Sequence, residues 1–430
     1  MQLKNQMTIT SVLAAATCAL LGTTDAIGQE SEQAWEFDTA ILYYGETDRV
    51  SLLEGVVAAS KDFGDEHIFS GKLVFDSLTG ASASGAVAQP GLQTYTRPSG
   101  NGEYTIEGGE LPLDDTFRDT RVQLNGQWTQ PLWTNTRGSA GLNVSNEYDY
   151  LSIGANGSIA KDFDRKNRTL SLGLSYQYDS IDPVGGAPVA FSNMLLRSDF
   201  EGDDAFDTAF QNTRQSDSQD KTTVDVLIGL TQTINKRMIM QFNYGFSVAD
   251  GYLNDPYKML SSVNGEGITQ SLLFESRPDK RTKHNFYWQT KYAMDNGMID
   301  VSYRFATDDW EIDSHTIDSR LRFNFSDTSY VQPYFRYYQQ EAAEFYRPFL
   351  NDGDALPMFA SADYRLGEMS TVTLGLKYGQ RLSNGHEWGV RVAYYQQTPK
   401  NAGFDEPGVL QGLDLYPSVK AVIAQLSYSF

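Results

Sequence analysis

The chain has 430 residues, of which 40% are hydrophobic and 13% aromatic, with 25 Tyr, 23 Phe and 37 Gly, and its formal net charge is −21. Beyond the N-terminus no apolar run reaches the ~18 residues a transmembrane helix needs, which excludes a helical membrane protein. The acidity excludes nucleic acid as a partner, because a phosphate backbone demands a basic footprint.

At the start of the chain, Lys4 supplies a positive n-region and Ile9 to Gly22 an apolar h-region. Ala26-Ile27-Gly28 then offers small residues before Gln29, with Thr24-Asp25-Ala26 as an alternative cleavage site. Residues 1–28 therefore read as a cleaved signal peptide, and 29–430 as the mature protein of a bacterial envelope. The single cysteine, Cys18, lies within the signal, and the preceding Ala15-Ala16-Thr17 lacks the Leu of a lipobox. It reads as an h-region residue, which leaves the mature chain without a thiol for disulfides or metals.

The next segments alternate with period two, the mark of strands. WEFDTAILYYG sets Trp35, Phe37, Ile41 and Tyr43 on one face. TLSLGLSYQYD sets Leu170, Leu172, Leu174, Tyr176 and Tyr178 against Ser171, Gly173, Ser175, Gln177 and Asp179. MIMQFNYGFSV, IDVSYRF, TVTLGLKYG and WGVRVAYY continue the pattern, and AVIAQLSYSF closes the chain. Many run about 10–13 residues, the length of a tilted membrane-crossing strand rather than of a soluble one. Tyr and Phe gather toward segment ends, as in YQYD, FRYY and AYYQ, where interfacial girdles belong.

The connections alternate too. Those leaving odd strands include every long one, near 77–115, 180–220, 250–280, 341–368 and 398–417. Those leaving even strands are tight: DRKN at Asp164, NKR at Asn235, DNG at Asp295, SD at Ser326 and SNG at Ser383. Segregation of loop length by parity is what a barrel inserted from the periplasm shows. The expected fold is all-β: one transmembrane antiparallel barrel of about 16 strands in the outer membrane, with long outer loops and short periplasmic turns. Leu426, Tyr428 and Phe430 form a C-terminal signature for the barrel-assembly machinery, and Gln425 and Ser427 are expected to face the lumen.

Three stretches, FDSLTGASASGA (75–86), DTRVQLNGQW (119–128) and SNEYDYLSIGANGSIAKDF (145–163), resemble the family known as domain of unknown function 3570. The resemblance implies an outer-membrane β-barrel with no established activity, and points toward an envelope redox system; no residue of this chain itself indicates a redox centre.

Charged residues on the polar alternates are the lumen candidates: Lys72, Asp119, Arg121, Asp179, Asp225, Asp300, Arg304, Asp318, Arg320, Arg322, Arg336, Lys377 and Arg391. Arg or Lys facing lipid at midplane would cost about 2–4 kcal/mol. They form either a selective constriction or a ladder of ion pairs that stiffens the wall. The loop over 80–104 either folds inward or stays a mobile outer loop. Ser145, Glu147, Asp149 and Tyr150 cluster at a tight turn, readable as acid–base chemistry or as a network satisfying the turn backbone. Acidic loop clusters, such as Asp199 to Asp207 and Asp308 to Asp313, present oxygens that bind Ca²⁺ in other settings, but none matches a complete Ca²⁺ loop.

Nothing in the chain matches a phosphate loop or nucleophile elbow, and His67, His284, His315 and His386 lack zinc spacing. The expected function is a porin-like channel for small solutes, not an enzyme and without a cofactor. The alternative is a scaffold barrel holding an envelope, possibly redox, lipoprotein; a rim hydrolase built on His315 beside Asp313 and Asp318 ranks last. Expected partners are outer-membrane lipids, the assembly machinery and that lipoprotein.

Overall fold

The computed structural model describes residues 34–430, so the signal reading and Cys18 lie outside the described residues. Sixteen antiparallel strands close into a barrel. In chain order they are β1 (Glu36–Glu46), β2 (Val50–Asp62), β3 (Ile68–Ala83), β4 (Leu113–Trp133), β5 (Thr136–Asn146), β6 (Tyr150–Phe163), β7 (Arg168–Ile181) and β8 (Gln219–Asn235). Then follow β9 (Met238–Gly251), β10 (Lys280–Met294), β11 (Gly297–Asp308), β12 (Ser314–Asn324), β13 (Ser329–Gln340), β14 (Met369–Arg381), β15 (Glu387–Pro399) and β16 (Val419–Ser429). Each strand pairs with its chain neighbours, and β16 returns to β1 with Ile41 opposite Leu426. Closure leaves no free edge, as a lipid-embedded sheet requires.

The outer face is an apolar belt. Ile41, Leu53, Phe75, Leu124, Leu142, Leu172, Leu174, Leu374 and Leu426 are each more than half exposed. So large an exposed apolar surface is stable only against lipid. The alternate residues face inward: on β7, Ser171, Ser175, Gln177 and Asp179 are buried between exposed Leu172, Leu174, Tyr176 and Tyr178. The even-to-odd links are tight turns in which Asn135, Asp164, Arg165 and Lys166 adopt positive φ. Polar residues with short side chains tolerate that backbone best, and Arg165 and Lys166 adopt it here at φ 56° and 68°.

At the opposite end the long loops fold together. Loop 252–279 forms an antiparallel pair, Met259–Val263 with Thr269–Phe274, and Leu350–Asn351 adds to it in parallel. Four other loops dock on this hub. Ser84 accepts from the Met259 amide at 2.8 Å, the Val409 amide donates to Glu266 at 2.9 Å, Ser276 and Ala360 exchange backbone bonds, and Asn193 bridges to Leu273. Loops rising between β3 and β4 and between β15 and β16 each sit six strands from the hub around the rim, so these contacts span the mouth. The roof has apolar cores of its own, one around Trp310, Phe345, Tyr346 and Leu366 and another around Tyr95, Met259, Leu272 and Phe274. The 80–104 segment is thus part of a packed roof, not a mobile loop.

Candidate functional site

The inner wall has two unlike halves. Along β2 to β8 the inward cations Arg121, Arg137 and Lys221 are matched by carboxylates, while Lys72 on β3 is exposed. Arg121 Nε donates to Asp76 Oδ2 at 2.6 Å, and its guanidinium also lies 3.7 Å from Glu54. Arg137 lies 3.3 Å from Asp162, and Lys221 lies 3.2 Å from Asp179. Asp225 accepts from Ser175 Oγ at 2.9 Å. Pairing of this kind offsets the desolvation of buried charge and stiffens the wall.

Along β11 to β15 the cations outnumber the acids. Arg304, Arg320, Arg322, Arg336, Lys377 and Arg391 all lie on the inward alternates. Among the described residues only Arg320 of these six has a carboxylate within ion-pair distance, Asp318 at 3.5 Å. Three of the others rest on tyrosine rings or an amide. Arg322 stands 3.7 Å over Tyr330 and bonds Asn324 at 3.0 Å, Lys377 lies 5.5 Å from the Tyr330 ring, and Arg304 lies 5.7 Å from that of Tyr287. Arg320 also faces Tyr334 at 5.5 Å. Cation–π contacts hold a guanidinium in place without cancelling its charge. Asp300 is buried and accepts from Gln289 at 2.7 Å, with Lys291 and Arg320 as its cross-strand neighbours.

Solvent reaches the interior on both sides of the wall. Lys72, Arg320 and Arg391 face inward yet are exposed, which requires open space beside them. Toward the loop end the inward residues are buried instead: Leu52, Leu78, Asp179, Gln340, Met369 and Ala421. A recess of 480 Å³ at the short-turn end is lined by Arg322, Arg381, Glu387 and Asp295.

All the charged lumen candidates, including Asp119, lie on the alternates opposite the apolar belt. The ladder of ion pairs occupies the β2 to β8 side, and the excess of cations over acids the other. Leu426, Tyr428 and Phe430 are exposed on the belt, while Gln425 and Ser427 face inward. At the turn motif, Ser145 is the penultimate residue of β5, Glu147 is buried, and its amide donates to the Tyr150 carbonyl at 2.8 Å. Asp149 accepts from the Tyr257 hydroxyl at 2.6 Å, and Tyr150 Oη accepts from Lys221 at 3.1 Å. The motif therefore clamps the rim to the hub loop. His315 shares the belt face with Tyr303, bonded at 2.7 Å, whereas Asp318 points inward, so the rim-hydrolase constellation does not assemble.

Two features escape a reading of alternation. The first is inward tyrosine: in FRYY, Tyr337 faces lipid and Tyr338 the interior, and in AYYQ, Tyr394 and Tyr395 divide the same way, so these are not girdle residues alone. The second is a buried charge cluster in the roof. Arg277 bonds Glu275 and Asp363 at 2.9 Å each, Arg365 bonds Asp255 at 2.6 Å and also binds Asp363, and Lys258 donates to the Ala83 carbonyl. Burial pushes Glu275 up to about 7 against the pull of Arg277. Burial also pushes Asp363 upward, but Arg365 and Arg277 outweigh it and hold that carboxyl well below its usual range. Irregular loops carry no period, so the only trace in sequence is Arg277 and Arg365, each two residues after an acid.

Among solved structures, a bacterial polysaccharide outer membrane secretin aligns with 93% of this chain and all of its own at 10% identity and TM-score 0.42. A loop-deletion mutant of OmpT, an outer membrane protein of Vibrio cholerae, aligns over 93% of this chain and 99% of its own at 9% identity and TM-score 0.39. A ferric enterobactin receptor mutant from Pseudomonas aeruginosa aligns at 9% identity and TM-score 0.43, and the chain spans 61% of it. No functionally curated protein matches the sequence. Residues 10–430 match the family described as "Protein of unknown function (DUF3570)", and the chain belongs to that family.

Proposed function

We propose that this protein is a porin-like outer-membrane channel for small solutes, with its short turns in the periplasm and its roof outside. The observation that carries the reading is the charged, solvent-accessible interior: Lys72, Arg320 and Arg391 project inward and are exposed within a closed cylinder. A wall built only for support would fill that space with paired or apolar side chains, as the β2 to β8 side partly does. No step of covalent chemistry is assigned to the barrel. The test is conductance of the full mature chain in planar bilayers: discrete openings support the channel, and a silent bilayer at every voltage overturns it.

The roof favours a second reading. A mouth spanned by packed loops suits a scaffold whose solvent-filled end receives an envelope lipoprotein from the periplasmic side. Crosslinking from the 480 Å³ recess in intact cells separates the two, because the scaffold reading requires one stoichiometric adduct.

A further inference from the structure

We infer that the cation-rich arc on β12 to β15 is a selectivity element for small carboxylates; the inference rests on the channel reading and gives it a solute class. Its strongest support is the register. Lys377 on β14 lies directly opposite Arg391 on β15. The next residues along that row are Gln332 on one side and Gln425 on the other, both neutral. Like charges placed directly opposite on neighbouring strands are destabilising. A wall shaped for stability alone would put a carboxylate in that row, as the row joining Glu54, Asp76 and Arg121 does.

The neighbouring groups keep the arc charged. The Tyr330 hydroxyl donates to Glu387 at 2.7 Å and the Tyr334 hydroxyl to Asp318 at 2.8 Å. The local acids thereby fix the rings on which Arg322, Lys377 and Arg320 lie, and only Asp318 also reaches a cation of the arc. Arg320 and Arg391 remain exposed to the interior, with only the Nε of Arg320 turned to a carboxylate, Asp318 at 3.5 Å. A guanidinium fork matches a carboxylate in two parallel hydrogen bonds, and an anion lying between Lys377 and Arg391 relieves their repulsion. The arc reverses the sign of a chain whose net charge is −21, so the anion preference is local to the interior. Within a partly desolvated passage such a field acts on every ion that passes.

The experiment uses the full chain and the triple variant Arg320→Gln/Lys377→Gln/Arg391→Gln, with heat-modifiable mobility on gels confirming that both barrels fold. Reversal potentials under a KCl gradient report anion against cation preference, and calorimetry reports succinate binding to the solubilised protein. The parent is expected to prefer chloride and to bind succinate. In the variant both preferences should fall about tenfold, the size expected when three partly screened charges each contribute a modest amount. A conducting parent that prefers K⁺, or a variant with unchanged selectivity, overturns the inference and leaves the channel standing. A silent bilayer with succinate binding lost in the variant overturns the channel and keeps the carboxylate site. Silence without binding overturns both.

Discussion

Phe430 stacks on Phe37 with ring centroids 5.2 Å apart, and the two residues exchange both backbone hydrogen bonds, at 2.8 and 2.9 Å. They lie at the short-turn end of the seam where β16 meets β1. Phe430→Ala keeps the backbone pair and removes the ring, so it is expected to cost about 1 kcal/mol and to slow assembly more than it lowers final stability. Pulse-chase of heat-modifiable barrel checks this; unchanged folding kinetics would refute a role for the ring in closure.

Arg121 sits between Asp76 and Glu54 on the paired half of the wall. Arg121→Ala leaves two inward carboxylates facing each other and is expected to destabilise the barrel by about 3 kcal/mol. Adding Asp76→Asn should recover part of that loss. Denaturant unfolding in detergent measures both, and equal stabilities of single and double variants would show that the pair is uncoupled.

The roof cluster predicts a pH optimum for loop packing. Glu275 binds its proton more tightly in the folded roof than at its ordinary 4.5, so that stabilisation is complete below 4.5 and lost as pH rises through about 7. Asp255 and Asp363 are buried, but neighbouring cations hold both below their ordinary 3.8. Their contribution is present above that value and lost as pH falls beneath it. Protease nicking of loops 252–279 and 341–368 should therefore be slowest at about pH 4 to 4.5 and quicken as pH rises from there through about 7. Glu275→Gln should remove the rise in nicking on the alkaline side while sparing the acid limb.

Gly267 and Gly408 bring two loops into backbone contact. Gly267 has φ +80°, and a Cβ there would lie 2.3 Å from the Pro407 carbonyl oxygen. Gly267→Ala meets both a left-handed backbone and a clash, and is expected to cost about 2 kcal/mol locally. Detachment of loop 400–418 should raise its hydrogen-exchange rate and, in a channel, enlarge the unit conductance. An unaltered exchange pattern would place that loop's anchorage elsewhere.

The barrel was legible because lipid and lumen impose opposite chemistries on alternate residues, and the contrast survives in segments such as TLSLGLSYQYD. Loop parity was legible for the same mechanical reason: DNG at Asp295 turns in two residues, while 252–279 must reach across a mouth. Sequence could place Lys377 and Arg391 inward but not opposite each other, since pairing depends on a register set by turns on both sides. The roof was illegible because its contacts join Ser84, Met259, Leu350 and Val409, residues with no shared period and no local signal.

That separation along the chain has a temporal meaning. The hub loop is made midway through synthesis, but its partners extend from Ser84 to Val409, and the last of them lies in the loop leading into the strand that pairs with the first. Such non-local contacts pay their loop-closure entropy late. The roof can set only once the cylinder has been sealed, so a protease-resistant roof is a certificate of completed insertion, readable from outside an intact cell.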